Sequence, residues 1–116
     1  MLPNRLDRLP RHVLSGDLTV FEARTHRARL LGLALLDALP SDAALLITRC
    51  RSVHTFGVRF SIDIILLDRY GTVVRLASEV SPQRAVGARG AWAVLETRAG
   101  RAERFLEAGV AELFRR

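Results

Sequence analysis

The chain has 116 residues, of which 49% are hydrophobic and 26% are charged, and its formal net charge is +6. This length and balance are those of one folded domain rather than a disordered chain, and the longest apolar run, LLGLALL, is too short for a membrane span. All 18 basic residues are arginine, which is typical of a high-GC genome, and they are scattered rather than clustered, so nucleic acid is not an expected partner.

The first part of the chain predicts an arm, a strand and a helix. Residues 1–16 contain two prolines and little periodicity, so we expect an N-terminal arm, followed by a single β-rich domain over residues 17–116. The segment LTVFEA predicts a strand over residues 18–23. Thr25 stands at the position of a helix N-cap, and the leucine-rich segment after it predicts one prominent helix over about residues 26–39.

The rest of the chain predicts a series of strands. AALLIT favours a buried strand, and the even positions from Phe56 to Leu66 are all apolar, which predicts one strand, or two joined at a bend. This segment is expected to form a hairpin with TVVRLASEV through the turn residues DRYG. A loop over residues 81–90, a strand at AWAVLET, a short C-terminal helix ended by Gly109 and a last strand at VAEL follow. Together they predict a mostly β (α+β) fold, a small β-sandwich or partly closed barrel.

The odd positions of the alternating segment carry the most conspicuous polar residues. On one strand face, Arg59, Ser61 and Asp63 would stand in a row. One interpretation is a solvated face of a half-exposed strand. The other is a polar site in which the Arg59 guanidinium binds a carboxylate or phosphate and Asp63 orients a hydroxyl group.

The single cysteine offers a different chemistry. Cys50 cannot form an internal disulfide, and a lone thiol fits a reducing compartment, so we expect a cytoplasmic protein. With His54 it could form a thiol-enzyme pair, but only if residues 51–53 turn back, since residues four apart in a strand are about 13 Å apart. The alternative is a small buried hydrophobic side chain. The three histidines are isolated and no cofactor motif is present, so neither a metal nor a cofactor is predicted.

Three segments, in order, resemble the family called domain of unknown function 192. They are ARTHRARLLGLA, VHTFGVRFSIDIILLDRYGTVVRL and WAVLETRAGRAERF, and they span about residues 18–114. This chain departs from the common family pattern at His54, where many members have tryptophan, at Ser61, where they have proline, and at Ala34, where methionine is frequent. The matching positions are Thr25, Arg29, Gly32, Leu33, Asp63, Asp68, Gly71, Leu95, Glu96 and Gly100.

The resemblance implies a jelly-roll-like β-sandwich with one prominent helix, and it implies no reaction. Our leading hypothesis is a non-enzymatic module that binds a small polar or acidic ligand, or a partner's chain end. Its site would be lined by Arg29, His54, Arg59, Asp63 and Glu96. The alternatives are the thiol enzyme described above and a purely structural or adaptor protein that binds through a sheet edge.

Overall fold

The computed structural model describes residues 4–115, which form eight strands and three short α-helices. The helices are α1 (Asn4–Asp7), α2 (His26–Leu31) and α3 (Ala102–Glu107), and single 3-10 turns lie at Ser15–Asp17 and Val110–Phe114. The strands are β1 (Arg11–Val13), β2 (Thr19–Glu22), β3 (Ala43–Thr48), β4 (Ser52–His54), β5 (Ile62–Leu67), β6 (Val73–Val80), β7 (Ala85–Gly87) and β8 (Ala93–Arg98).

Six of the strands form one sheet in the order β1-β2-β3-β8-β5-β6, and β4 and β7 form a separate two-stranded sheet. Only β2 and β3 are parallel within these pairs. A parallel pair needs a crossover connection, and the segment that contains α2 supplies it. The sheet does not close into a barrel. The predicted mostly β, α+β class is confirmed.

The central strands are buried on both faces, which explains their continuous apolar sequences. Alternate residues of β3 enter different cores: Leu45 lies in the core on the α2 and β4–β7 side, whereas Leu46 packs on the side of α3. Ile64 and Ile65 of β5 divide in the same way. Each fully buried aliphatic side chain contributes about 1.5–3 kcal/mol relative to exposure. Whether a residue stands at an odd or an even position of its strand therefore decides which of the two cores its side chain packs in.

The helix α2 begins where the sequence predicts but ends eight residues early. The Thr25 hydroxyl accepts a hydrogen bond from the Ala28 amide at 3.0 Å, as an N-cap does. The helix ends at Gly32, whose φ is +51°. Arg5 donates to the carbonyls of Gly32 and Ala34 at 2.9 and 2.5 Å. In a longer helix these carbonyls would accept from backbone amides, and here the Arg5 side chain takes the place of those amides. Of the leucines that follow, Leu33, Leu36 and Leu39 are buried in irregular chain, whereas Leu35 is exposed.

The alternating segment is a strand only in its second half. β4 ends at His54 and β5 begins at Ile62, and the residues between them turn. Buried Thr55 fixes this turn, because its hydroxyl donates to the Ser81 carbonyl at 2.9 Å and accepts from the Arg84 amide at 2.8 Å. Side chains of residues 56–61 therefore do not share the faces of β5. The expected loop over residues 81–90 also contains β7, and the expected last strand at VAEL is a 3-10 turn.

The predicted hairpin is present, and Asp68 organises its turn. The Asp68 carboxylate accepts hydrogen bonds from the amides of Tyr70 and Thr72 at 2.8 and 2.9 Å. At the other end of the chain, residues 4–16 of the expected arm form α1 and β1, and β1 pairs with β2. Leu6 of α1 is fully buried. The division between an arm and a domain at residue 17 stays a prediction.

We expect Gly71→Ala to lower the free energy of unfolding by about 2 kcal/mol. Gly71 has a φ of +87°, and an added Cβ would lie 3.0 Å from the Ala111 carbonyl oxygen. Gly90 is a matched control, since its φ is +80° but no atom lies within 4 Å of the added Cβ. Gly90→Ala should cost only the backbone strain, about 1 kcal/mol. Urea unfolding measures both, and equal costs would show that the contact with Ala111 relaxes freely.

Candidate functional site

Three of the five predicted site residues line one small cavity, between α2 and the face of the sheet that α2 covers. Arg29, His54 and Glu96 contribute to its wall, and so does Cys50. The cavity has a volume of about 130 Å³. The remaining wall is mostly aliphatic and consists of Leu30, Leu31, Gly32, Leu33, Ile47, Ser52, Val53 and Val58. We call this space the Glu96 cavity.

Glu96 is the most unusual residue of the cavity. It lies in the middle of β8, paired with Leu45 on one side and Ile64 on the other, and only 2% of it is exposed. Its Oε1 atom has no hydrogen-bond partner among residues 4–115. Burial among apolar neighbours penalises the charged form and raises the pKa of Glu96 to about 7. A carboxyl group that changes charge near neutral pH therefore faces an apolar cavity.

The end of α2 leaves space above this carboxyl group. Gly32 has no Cβ, and a Cβ built on it would lie 3.5 Å from Glu96 Oε1. The positive φ of Gly32 turns the chain away from the helix axis at this point. The residue at which α2 ends therefore also lies next to the unpaired oxygen of Glu96.

Arg29 stands at the cavity wall, but its guanidinium group is already bound. It donates to the carbonyl oxygen of Thr48 and, at 2.9 Å, to that of Arg49. These two bonds tie α2 to the end of β3. An acidic ligand would have to compete with both carbonyls for the same donors, so the arrangement favours a structural use of Arg29 in this cavity.

Cys50 and His54 both reach the cavity without forming a catalytic pair. The Cys50 thiol donates to the Ser52 carbonyl at 3.1 Å. His54 is exposed at the end of β4, with its ring centroid 5.4 Å from that of Phe56. Among the described residues, no hydrogen bond joins the thiol to the imidazole. A nucleophile and base pair needs such a hydrogen bond.

Arg59 and Asp63, the other two predicted site residues, lie away from the cavity and from each other. Arg59 precedes β5 and forms an ion pair with Asp37 at 2.6 Å, and both side chains are largely exposed. Asp63 is 3% exposed and accepts hydrogen bonds from the amides of Glu79, Gly100 and Ala102 at 2.9, 3.0 and 3.1 Å. It faces α3, on the opposite side of the sheet from Glu96. The expected row of Arg59, Ser61 and Asp63 is therefore not formed.

No group of three His, Cys, Asp or Glu side chains within residues 4–115 is arranged to hold a metal ion. No helix in that part of the chain is long and apolar enough to cross a membrane. A larger recess on the other side of the sheet joins residues distant in sequence, which is why no local motif indicates it.

One family model matches most of the chain. The model of DUF192, described as "Uncharacterized ACR", matches residues 12–110. No curated protein matches the chain.

Two crystal structures have similar folds. One, from Sinorhizobium meliloti 1021, is described as that of a proposed transcription regulator. It is 22% identical, covers 82% of each chain and has a TM-score of 0.67. The other, a protein of unknown function from Novosphingobium aromaticivorans DSM 12444, is 19% identical, covers 90% of this chain and 91% of its own, and has a TM-score of 0.66. These likenesses show the fold alone.

Proposed function

This chain belongs to the DUF192 family, and we propose that it is a non-enzymatic binding module that holds a small polar ligand in the Glu96 cavity. The ligand donates a hydrogen bond to Glu96 and packs its remaining atoms against the aliphatic wall. His54 lies at the rim, where its ring nitrogens can donate or accept a hydrogen bond. A cytoplasmic location stays a prediction.

The unpaired oxygen of Glu96 carries this proposal. A buried acceptor without a partner costs about 1–3 kcal/mol, and native proteins leave few such groups. A ligand that donates to Oε1 would recover this cost as binding energy. The surrounding aliphatic wall strengthens such a bond, since an interaction of given geometry is stronger where water is excluded.

The shape of the cavity narrows the ligand class. Its volume of about 130 Å³ is that of about four water molecules at roughly 30 Å³ each, so only a short amine or alcohol, or one end of a longer molecule, fits inside. The acidic ligand of our initial hypothesis is less well supported, because the Arg29 donors are bound to carbonyls and the Glu96 carboxylate repels an anion. The thiol enzyme and the adaptor stay alternative predictions.

We expect short amines and alcohols to raise the melting temperature of the wild-type protein. A ligand at a hundred times its dissociation constant stabilises the fold by about 2.7 kcal/mol, which is a shift of several degrees in a domain of this size. Glu96→Met removes both acceptor atoms at similar side-chain length and should abolish the shift. Glu107→Met is the matched control, since Glu107 is exposed at the end of α3.

The outcomes separate the alternatives. A shift that persists in Glu96→Met would place the ligand elsewhere and contradict the proposal. If no amine or alcohol stabilises the wild-type protein, the Glu96 cavity is not a small-molecule site and the adaptor becomes the better hypothesis. Loss of the shift in Glu96→Met, with retention in Glu107→Met, supports the proposal.

A further inference from the structure

The larger recess lies on the α3 side of the sheet, away from the Glu96 carboxyl group. Its volume is about 610 Å³, within the roughly 300–1,000 Å³ typical of small-molecule sites. Leu46, Trp92 and Phe114 form part of its wall: Leu46 belongs to the core that α3 covers, and the two partly buried rings pack against that core. We call it the arginine groove. Its only residue shared with the Glu96 cavity is Arg29.

The arginine groove carries an excess of positive charge. It is lined by four arginines, at positions 24, 29, 49 and 69, but by a single carboxylate, Glu22. That carboxylate is bound to Arg24 at 2.8 Å and to His12 at 2.9 Å, and the hydrogen bond from Arg24 lowers the pKa of Glu22. The negative charge is thus neutralised within the wall.

Two of these arginines are available to a ligand. Arg49 and Arg69 are exposed, and within residues 4–115 neither side chain takes part in an ion pair or donates a hydrogen bond. Arg49 also has a φ of +55°, which is uncommon for a residue other than glycine. In this conformation its carbonyl oxygen accepts the bond from Arg29, while its side chain lines the groove. Free guanidinium groups bind phosphate or carboxylate oxygens in a bidentate manner.

Aromatic rings stand beside these cations. Trp92 and Phe114 pack edge to face, with ring centroids 6.1 Å apart. Tyr70, in the β5–β6 hairpin, is 73% exposed, which is high for so large a ring. The three rings come from three separate segments, and all of them line this groove. Aromatic faces next to arginines suit a flat ring that carries an anionic group.

From this combination we propose that the arginine groove binds a mononucleotide. The phosphate is held by Arg49 and Arg69, and the base stacks on the exposed aromatic surface of Tyr70 and Trp92. A single nucleotide fits within a groove of this volume, whereas the scattered arginines elsewhere in the sequence provide no continuous track for a strand. This site is distinct from the Glu96 cavity and does not depend on the function proposed for it.

The experiment uses Trp92 as its reporter, because it is the only tryptophan in the chain. Adenosine monophosphate should change its fluorescence saturably and release heat in calorimetry. Adenosine retains only the base and its sugar, and inorganic phosphate retains only the anionic group. Each should bind at least about tenfold more weakly than the monophosphate. Added salt should weaken the binding of the monophosphate but not that of adenosine.

Variants test the assignment to this groove. Arg49→Ala/Arg69→Ala should weaken adenosine monophosphate binding by about tenfold or more. Arg98→Ala/Arg104→Ala removes the same charge from exposed positions outside the groove and should leave binding unchanged. Glu96→Met should also bind normally, which separates this site from the Glu96 cavity.

Four results would overturn the proposal. The first three are the absence of monophosphate binding by the wild-type protein, undiminished binding by Arg49→Ala/Arg69→Ala, and equal affinities for adenosine and its monophosphate. A fourth is a single-stranded oligonucleotide that binds where the mononucleotide does not, since it would show that the groove holds part of a strand instead.

Discussion

Asp63→Ala is expected to lower the free energy of unfolding by about 3–5 kcal/mol, the largest effect that we predict for one residue. The Asp63 side chain joins three segments, because it accepts hydrogen bonds from Glu79 in β6, Gly100 in the turn after β8, and Ala102 at the start of α3. A hydrogen bond to a charged group contributes about 1.5–3 kcal/mol, and water can recover part of the loss at the exposed residues 79 and 100. Urea unfolding measures the difference.

Asp63→Asn tests the explanation at nearly constant volume. The amide retains one oxygen acceptor, but its NH₂ group would face at least one backbone donor, so we expect an intermediate loss of stability. Exposed Asp42→Ala is the control and should change stability by less than about 0.5 kcal/mol. A cost for Asp63→Ala as small as that of the control would mean that the three amides find other partners, and that Asp63 does not hold these segments together.

The sequence predicts the strands of this protein better than its helices. AALLIT, IDIILL and AVLETR lie within the sheet because each combines β-branched or aliphatic residues with burial on both faces. The length of α2 could not be predicted from its leucines, since Leu33, Leu36 and Leu39 are buried without being helical. The carbonyl of Gly32, where the helix ends, accepts a hydrogen bond from Arg5, a residue 27 positions away in the sequence. Only tertiary contact could reveal this.

The candidate site is predictable in part for a related reason. Asp63 and Glu96 each interrupt an apolar strand, which makes both conspicuous in the sequence. Their pairing partners show that they face opposite layers: Glu96 lies beside Ile64, while Asp63 lies beside Thr97. Since both layers are apolar, periodicity alone cannot say which face carries which acid. A continuous strand would place Arg59 on the same face as Asp63, but the turn at Thr55 interrupts that strand.

The arginine groove could be predicted from the sequence even less than the Glu96 cavity. Tyr70, Trp92 and Phe114 lie in different segments of the chain, and each is unremarkable among its sequence neighbours. The antiparallel pairing of β5 with β8 brings Trp92 to the end of the hairpin that carries Tyr70, where the Trp92 amide donates to the Leu67 carbonyl at 2.7 Å. Scattered arginines give no signal of a binding surface until such pairings place them together.

The stability of the wild-type protein is expected to fall between about pH 5 and pH 8, by on the order of 3 kcal/mol, through Glu96 alone. Burial raises the pKa of Glu96 from 4.5 to about 7 in the folded protein. Between these values the folded state holds a proton that the unfolded state releases, so rising pH favours unfolding. The stabilisation is fully present below about pH 4.5 and is lost as the pH rises through 7. Above that pH, Glu96 no longer makes the free energy of unfolding depend on pH.

Comparison with Glu96→Gln isolates this contribution from that of other titrating groups. The amide is neutral throughout, so the difference in unfolding free energy between the variant and the wild type should move in the variant's favour by on the order of 3 kcal/mol from pH 4.5 to 8. Glu107→Gln should follow the wild type. Parallel profiles for Glu96→Gln and the wild type would mean that Glu96 titrates as an exposed acid does.

The same titration discriminates between the two ligand classes of the Glu96 cavity. An ammonium ion stabilises the carboxylate, so amine binding should strengthen as the pH rises through 7. An alcohol can donate to the carboxylate and can both donate to and accept from the protonated acid, and it carries no charge, so its binding should depend on pH less than that of the amine. Melting-temperature shifts at pH 6 and pH 8 with a matched amine and alcohol measure this contrast. Equal pH dependence for both compounds would contradict direct contact between the ligand and Glu96.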